Sequence, residues 1–335
     1  MSPLPGAPLR AGLIGLGMMG RHHARVLRSL TGVQLVGVAD PMGDPHNAAQ
    51  GVPLCGTVEE LVDLGLDYCV VAAPTACHEK VGMALAAAGV HALVEKPLAQ
   101  DVESSRRVAE AFETAGLVNA VGHIERYNPA LQQLRARLEE GQLGAVYQVV
   151  TRRQGPFPNR ISDVGVVKDL ATHDIDLTAW VTGQPYRSVS ARTAYKSGRD
   201  FEDLVAVVGQ LADGTVTNHL VNWLSPIKER VTVVTGERGC LIADTLNVDL
   251  TFHNNAEMAT QWEALRNFRG VSEGDMIRYA IAKPEPLVTE HEAFRDAVLG
   301  KDSDIVTMHQ GLVNVVVAQA MLDSATDGTT VAVAG

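Results

Sequence analysis

The first third of the chain alternates short apolar runs with stretches of helical composition. The apolar runs are rich in β-branched residues, which is typical of strands buried in a parallel sheet. Gly89 and Gly116 follow two of the helical stretches, at the position where glycine often ends a helix. Strands joined by crossover helices predict an α/β fold with a doubly wound parallel sheet, the Rossmann architecture. The predicted strands are 35–39, 68–73, 91–95 and 117–121, and the predicted helices are 19–30, 76–88 and 102–115.

After Pro129 the pattern changes. Val- and Thr-rich runs are separated by turn sequences at 212–214 and 236–239, which is typical of antiparallel hairpins. This half of the chain predicts an open, mainly antiparallel sheet with helices on one face. The predicted helices are 130–140, 167–181, 290–298 and 309–325, with a strand at 146–153 and an irregular Gly/Pro stretch at 155–158.

The length of 335 residues suits two domains, and the 46% hydrophobic content supplies material for their cores. The net charge of −11, without a basic stripe in the sequence, argues against a nucleic-acid partner, although local arginines could still bind a small phosphorylated ligand. The four cysteines have no metal-ligand spacing, so we expect no metal site and reduced thiols in a cytoplasmic protein. We expect neither a signal peptide in the proline-containing first ten residues nor a membrane span.

A glycine-rich motif follows the apolar run 11–14 and opens a helix. In this context Gly15 permits a tight turn, Gly17 lets the backbone approach a pyrophosphate, and Gly20 lets the helix pack on its strand. The adjoining Met18 and Met19 are expected to contact the nucleotide as well. Asp40 ends the second strand, where a carboxylate binds the adenosine ribose and repels a 2′-phosphate. The sequence therefore predicts NAD as the cofactor in preference to NADP.

Two later strand ends lie on the same side of the predicted sheet. Ala73, Pro74 and Thr75 close the strand 68–73 and should border the ribose and nicotinamide, whereas His78 is either a ligand contact or part of a helix start. Glu95 and Lys96 end the strand 91–95 before Pro97, for which we predict a cis peptide bond. Beside a nicotinamide, Lys96 could bond a substrate hydroxyl and favour its alkoxide.

The second candidate element is the predicted helix that contains Asp169, His173 and Asp176. On an α-helix these residues share one face, and a carboxylate beside a histidine orients the ring and raises its basicity. A general base for an alcohol requires such a ring. The same spacing is equally expected of a structural helix start, in which acidic residues lie in the first turn and the histidine makes only structural hydrogen bonds.

These motifs, in this order, resemble the Gfo/Idh/MocA family of oxidoreductases. The closing segments 290–298 and 318–325 extend the resemblance over nearly the whole chain. The family implies NAD(P)-dependent redox chemistry on sugars or cyclitols, with Lys96, Asp169 and His173 at its catalytic positions and His173 as proton acceptor. It also implies an NAD-binding Rossmann domain, here 1–122, and a substrate-binding and oligomerisation domain, here 123–335, that pairs its sheet in a homodimer or homotetramer.

Further segments resemble the subgroup that acts on UDP-N-acetylglucosamine as a 3-dehydrogenase; they are 122–129, 165–167 and 222–226. The resemblance implies oxidation of the 3-hydroxyl of a nucleotide-linked amino sugar. Tyr127 and Asn128 could line the sugar pocket. Arg153 and Arg160, with the neighbouring Arg152, could grip a diphosphate, although exposed loop charges explain them as well.

Other functions remain open at this point. The enzyme could act on a different sugar, such as a dTDP-deoxyhexose or an inositol. The same scaffold could serve as a NAD-binding regulator without turnover, although such a protein need not retain Lys96, Asp169 and His173. It could also use bound NAD for redox-assisted cleavage of glycosides.

Overall fold

The computed structural model describes residues 7–158, 164–256 and 272–333, and the chain divides into two compact units. The first comprises 1–124 and 285–316, and the second comprises 125–284 and 317–335. The first boundary lies close to the predicted one, but 285–316 had been predicted in the second domain. The segment joins the first unit because Phe294 packs edge-on against Tyr68 of the parallel sheet, with ring centroids 5.5 Å apart.

The first unit contains a six-stranded parallel sheet in the order β3-β2-β1-β4-β5-β6. Its strands are β1 (Leu9–Ile14), β2 (Val33–Ala39), β3 (Leu54–Cys55), β4 (Tyr68–Val71), β5 (His91–Glu95) and β6 (Asn119–Gly122). Its helices are α1 (Gly20–Ser29), α2 (Val58–Val62), α3 (His78–Ala87), α4 (Val102–Thr114) and, numbered in chain order, α7 (Pro286–Val298). The predicted Rossmann architecture is confirmed.

Both faces of the parallel sheet are buried. On β4, Tyr68 and Val70 belong to one apolar cluster, with α1 and α7, whereas Cys69 and Val71 belong to another, with α3 and α4. Because side chains alternate between the faces of a strand, burial on both faces requires a continuous apolar run. This requirement explains why the strands of this unit were recognisable from the sequence.

The second unit contains a nine-stranded sheet in the order β14-β13-β12-β11-β7-β10-β9-β8-β15, antiparallel except for β7 and β10. Its strands are β7 (Val146–Pro156), β8 (Tyr186–Ala194), β9 (Leu204–Leu211), β10 (Val216–Asn222), β11 (Leu224–Gly236), β12 (Gly239–Asp244), β13 (Asp249–Ala256), β14 (Ser272–Arg278) and β15 (Val331–Ala332). Its helices are α5 (Pro129–Glu139), α6 (Thr172–Thr182) and the part of α8 (Met308–Asp327) from Val317 onward. The prediction of a mainly antiparallel sheet is confirmed.

One face of this sheet is covered by helices. On β9, Val205 and Val207 are buried in a cluster with Ile175 of α6, whereas the alternate residues, Ala206 and Val208, are exposed. β7 runs through Pro156, so part of the predicted irregular stretch is strand. In the part of the chain that the structure describes, no helix is long and apolar enough to cross a membrane.

Candidate active site

The glycine motif forms the turn between β1 and α1. Gly15 has φ +90°, and a Cβ atom there would lie 2.5 Å from the carbonyl oxygen of Ala72. A Cβ atom at Gly20 would lie 1.9 Å from the carbonyl oxygen of Gly15. Gly17, in contrast, is exposed, and a Cβ atom there would meet nothing within 4 Å. The fold itself requires Gly15 and Gly20, whereas Gly17 leaves open the space that a ligand needs to reach the backbone.

The N-terminus of α1 has the properties of an anion site. It has no side-chain cap and no acidic residue in its first turn, so no carboxylate there offsets the positive end of the helix dipole, although the N–H groups of Arg21 and His22 already donate to the carbonyls of Gly17 and Met19. Asp40 supports the glycine turn, because its Oδ2 accepts the N–H of Leu16 at 2.8 Å. Its Oδ1 accepts the N–H of Met42 at 2.8 Å. Each carboxylate oxygen of Asp40 keeps a second lone pair, which can accept a hydrogen bond from a ribose hydroxyl. The glycine turn and Asp40 therefore fit a dinucleotide.

The predicted cofactor contacts after β4 divide into two groups. Ala73 and Thr75 are half-buried and Pro74 is exposed, so they remain candidates. His78 is only 1% exposed, and its Nδ1 and Nε2 each lie 2.9 Å from a carbonyl oxygen, of Pro97 and Ala73 respectively. Burial lowers the pKa of His78, although both carbonyls oppose the shift. His78 therefore ties the end of β4 to the turn after β5, which corrects the cofactor-contact alternative.

Lys96 directly follows β5 and is half-buried, and its peptide bond to Pro97 is cis as predicted. The Lys96 N–H donates to Oε2 of Glu95 at 3.2 Å. Burial by itself raises the pKa of Glu95, but the hydrogen bond and charge of His23, with the charge of Lys96, bring that pKa below its ordinary value. The end of β5 thus presents a lysine beside an ionised carboxylate.

The segment with Asp169 and His173 is not one regular α-helix. Val167–Ala171 forms a π-helical turn, and α6 begins at Thr172. This finding corrects the α-helical spacing assumed for the two residues. Asp169 is 7% exposed and His173 is half-buried. π-helical turns are rare and often occur at functional sites.

Two buried arginines anchor α6. Asp174 accepts from Nε of Arg153 at 2.8 Å, and Asp176 accepts from Nε and Nη2 of Arg126 at 2.8 and 2.7 Å. Burial raises the pKa of Asp174, and Arg153 opposes that shift. Because α6 follows the π turn directly, these pairs fix the backbone that carries His173.

The structure corrects the role of the predicted arginine cluster. Arg153 is 4% exposed and donates to Asp174 and, at 2.8 Å, to Oε1 of Glu125, so it has a structural role rather than the predicted substrate contact. The side chain of Arg152 is 52% exposed and pairs with Glu229. Arg160 lies outside the described residues.

Sequence reasoning missed Arg230, which pairs across strands with Arg153. It is half-buried, and its Nη1 donates to the carbonyl oxygens of Gln154 and Glu229 at 2.8 Å. Among the described residues its Nε and Nη2 have no acceptor. Burial lowers the pKa of Arg230 to about 10, the charge of Arg153 adds to the shift, and acidic groups that include Asp169 oppose it. Strand alternation could have found Arg230, since it shares a face with the buried Thr232 and Val234.

The two predicted sugar contacts at the start of the second unit are buried. Oδ1 of Asn128 accepts the N–H of Ala130 at 3.0 Å, and its Nδ2 donates to the carbonyl oxygen of Thr245 at 3.1 Å. Asn128 is therefore the N-cap of α5, which corrects its predicted substrate role. Tyr127 is 6% exposed, and its contact with a sugar remains a prediction.

Two family models match the chain. Residues 9–123 match the oxidoreductase family with the NAD-binding Rossmann fold, and residues 131–242 match the Gfo/Idh/MocA C-terminal domain. Together they span more than half of the chain. The chain belongs to the Gfo/Idh/MocA oxidoreductase family. The predictions of family, of NAD as cofactor and of an oxidoreductase are thereby confirmed.

Named members of the family resemble this chain. A UDP-N-acetylglucosamine 3-dehydrogenase of Acidithiobacillus ferrooxidans is 32% identical over 212 residues, or 63% of this chain and 66% of that enzyme. Its solved structure has a TM-score of 0.81 at 26% identity and covers 95% of this chain and 98% of that one. Inositol 2-dehydrogenase 4 of Saccharopolyspora erythraea is 34% identical over 193 residues, or 55% of this chain and 57% of that enzyme.

A third similar protein was solved with NAD. GenD2 from gentamicin A biosynthesis, in complex with NAD, has a TM-score of 0.82 at 26% identity and covers 100% of this chain and 99% of that one. In the sequence alignments above, by comparison, this chain spans only 66% and 57% of the two relatives' own lengths. Among the described residues, no group of three or more His, Cys, Asp or Glu side chains is arranged to hold a metal ion.

Proposed function

We propose that this protein is an NAD-dependent dehydrogenase that oxidises the 3-hydroxyl of a nucleotide-linked amino sugar of the UDP-N-acetylglucosamine type. The observation that carries the proposal is the likeness to the Acidithiobacillus enzyme, with a TM-score of 0.81 over 95% of this chain at 26% identity. The name of that enzyme gives the sugar nucleotide and the carbon that it oxidises.

In the first unit, we assign the glycine turn to the pyrophosphate and Asp40 to the adenosine ribose. We assign Lys96 to the substrate, because a half-buried ammonium group can donate a hydrogen bond to a hydroxyl oxygen and stabilise it as its proton leaves. The NAD held by this unit would supply the hydride acceptor for the carbon that carries this hydroxyl. The remaining proposed cofactor contacts are Gly15, Met18, Met19, Ala73, Pro74, Thr75 and Glu95.

In the second unit, we assign His173 as the general base that accepts the hydroxyl proton. Its half-buried ring is accessible to a ligand, whereas Asp169 is buried. A buried carboxylate near a histidine favours the protonated ring that forms when the base accepts a proton. We therefore assign Asp169 to the orientation and charge of His173.

Arg230 is our candidate for an anionic group of the substrate. It is half-buried beside Arg153, whose charge is already matched by Asp174 and Glu125. Two guanidinium nitrogens of Arg230 have no acceptor among the described residues, and a phosphate could accept from both. This assignment replaces the one that the sequence made for Arg153. Arg160 remains a second candidate for the same group.

An inositol dehydrogenase is the second candidate function. It is favoured by the 34% identity to inositol 2-dehydrogenase 4, although that alignment covers 55% of this chain. A cyclitol carries no phosphate, so this function would leave Arg230 without a role in binding.

The two functions are separated by NADH formation with a panel of substrates: UDP-N-acetylglucosamine, its uronic acid, UDP-glucose, glucose and myo-inositol. We expect turnover only with the UDP-amino sugars, and loss of affinity for them in Arg230→Met without loss of NAD binding. Turnover only with inositol would overturn the nucleotide-sugar proposal. Binding of NAD with no turnover of any substrate would favour a regulator or redox-assisted glycoside cleavage.

The assigned residues are tested with matched variants. His173→Asn and Lys96→Met should lower kcat by at least about a hundredfold, because each removes a proton acceptor or a charge at the reacting oxygen. The controls are His309→Asn and Lys301→Met, whose side chains are 67% and 60% exposed. Unchanged kcat in the first pair would contradict the assigned roles.

We also propose that the protein forms a homodimer or homotetramer through the sheet face that the helices of the described ranges leave uncovered. This face exposes Val208 and Val216, at 51% and 42%, beside the half-buried Val150 and Leu220. Exposed apolar patches of this kind mark association surfaces. Light scattering should show an oligomer that Val208→Glu dissociates, and a monomeric parent protein would contradict the proposal. We further propose a cytoplasmic location, in keeping with four unpaired cysteines.

A further inference from the structure

Four ionisable side chains lie together in the first unit, and three of them are buried. They are His23 of α1, Glu290 and His291 of α7, and the partly buried Glu95 at the end of β5, whose side chain is 14% exposed. His23 is 0% exposed, and Glu290 and His291 are each 1% exposed. Burial of ionisable groups is costly unless they are paired, so a cluster of this kind requires an explanation.

Three members of the cluster form one line of hydrogen bonds. His23 Nε2 lies 2.9 Å from Glu95 Oε1, and His23 Nδ1 lies 2.8 Å from His291 Nε2. The two imidazole rings meet edge to face, with centroids 5.1 Å apart. The other oxygen of Glu95 accepts the N–H of Lys96. The line therefore ends at the residue that we assign to the substrate.

The chemistry of the groups restricts where the hydrogens lie. An ionised Glu95 only accepts, so Nε2 of His23 carries a hydrogen. Burial lowers the pKa of His291 well below its ordinary value, and the charge of His23 adds to the shift, so a neutral ring is favoured. Either His291 Nε2 donates to a neutral His23, or a protonated His23 donates to His291 Nε2.

These two arrangements differ by one proton. In the second arrangement the hydrogen of His291 is on Nδ1, a buried atom with no hydrogen-bond partner among the described residues. A proton that reaches this nitrogen can therefore be accommodated by a shift of the hydrogen between the rings. The cluster then changes from a net charge of −1 to neutral, while His23 still donates to Glu95.

Glu290 does not carry the negative charge of the cluster. Both of its carboxyl oxygens are buried without hydrogen-bond partners among the described residues. Burial raises the pKa of Glu290 well above its ordinary value, and the charge of Glu95 adds to the shift. The neutral acid is therefore favoured, and Glu95 holds the negative charge. Among the described residues, other ionisable groups that interact with the cluster include His22 beside His23, and His78 and Lys96 near Glu95.

We propose that His23 and His291 are positioning residues that hold Glu95 as a carboxylate at the cofactor and let the site take up one proton when the bound nicotinamide is reduced. The nicotinamide ring is cationic in NAD⁺ and neutral in NADH, so the carboxylate favours the oxidised form and the proton uptake favours the reduced form. The inference rests on the proposed placement of Glu95 at the cofactor.

The first test measures the affinities of NAD⁺ and NADH from pH 5.5 to pH 8. Because one proton is linked to the redox state, the ratio of NADH to NAD⁺ affinity should rise as the pH falls, by up to about tenfold per pH unit. His23→Gln/His291→Gln retains a hydrogen-bond donor to Glu95 but has no titratable ring, so the slope should disappear. His22→Gln, an adjacent histidine outside the line, should retain it. A flat ratio in the parent protein, or an unchanged slope in the double variant, would overturn the proposal.

The second test needs neither cofactor nor substrate. NMR of ¹⁵N-histidine-labelled protein reports which ring nitrogens carry hydrogen, and we expect hydrogen on Nε2 of His23 throughout the pH range. Nε2 of His291 should carry hydrogen at high pH and lose it at low pH. A His23 protonated only on Nδ1 would refute the arrangement even if the double variant failed to fold. Both tests are independent of the sugar, so a wrong substrate assignment would leave them valid.

Discussion

Arg153 provides a quantitative test of how the second unit is stabilised. Its buried guanidinium donates to Asp174 and Glu125, whose side chains are 2% and 16% exposed. Arg153→Met retains most of the apolar stem but leaves both carboxylates without that cation. Removal of one partner from a buried ion pair typically costs about 3–5 kcal/mol. In a unit of this size that loss should lower Tm by about 10 °C.

The neighbouring Arg152 is a matched control. Its side chain is 52% exposed and pairs with Glu229, so Arg152→Met should cost less than about 1 kcal/mol. Trp180, Trp223 and Trp262 all belong to the second unit by residue number, so tryptophan fluorescence during urea denaturation reports on that unit. A free energy of unfolding for Arg153→Met within about 1 kcal/mol of that for Arg152→Met would refute the reasoning.

The pH dependence of the destabilisation in Arg153→Met tests the direction of the pKa shift of Asp174. Burial raises the pKa of Asp174 and Arg153 opposes the shift, so removal of Arg153 raises that pKa further. A folded-state pKa above the unfolded value means that the folded form holds its proton to higher pH. The penalty in Arg153→Met should therefore be smaller at pH 4.5 than at pH 7.5. An equal penalty at both pH values would show that Asp174 is not the carboxylate left unpaired.

Three further predictions follow from single sites. Gly17→Ala should keep the parent Tm but weaken NAD binding in a fluorescence titration. Gly20→Ala should lower Tm, because its Cβ atom would meet the carbonyl oxygen of Gly15. Equal effects of the two variants on Tm and on NAD binding would contradict the different roles assigned to these glycines. The pKa of His219 is lowered by burial to about 4, so the unfolded chain takes up its proton first, and the free energy of unfolding should fall by about 2 kcal/mol from pH 7 to pH 5. His219→Gln should lack that part of the fall in urea denaturation. Asp40→Ser should raise the ratio of NADP to NAD affinity, and no change would remove Asp40 from the ribose site.

The cofactor half of the molecule was largely predictable because its requirements are local. Gly15 needs a positive φ, and Gly20 needs contact with a backbone atom five residues away. The inner strands of the parallel sheet are apolar on both faces, so their positions follow from composition, whereas the two-residue edge strand β3, whose Leu54 is 47% exposed, was not predicted. Lys96 could be placed at a strand end for the same reason, and Asp40 at the end of the second strand.

Two of the residues whose roles were mistaken or left open have partners that lie far along the chain. Arg153 was assigned to a phosphate, but it bonds Asp174 and Glu125, which are 21 and 28 residues away. His78 was left between two roles, and the deciding contact is the carbonyl of Pro97, 19 residues away. A charged side chain in a strand has the same sequence signature whether it faces solvent or a buried partner.

The sequence by itself determined the Rossmann architecture, the glycine turn and the family. Each depends on backbone conformation or on burial within a few residues of the motif. The tertiary structure decided the π-helical turn at 167–171, the return of 285–316 to the first unit and the pairing of His23 with His291. Those two histidines are 268 residues apart. Their hydrogen bond forms only after α1 and α7 have packed on the same sheet, so no local sequence pattern encodes it.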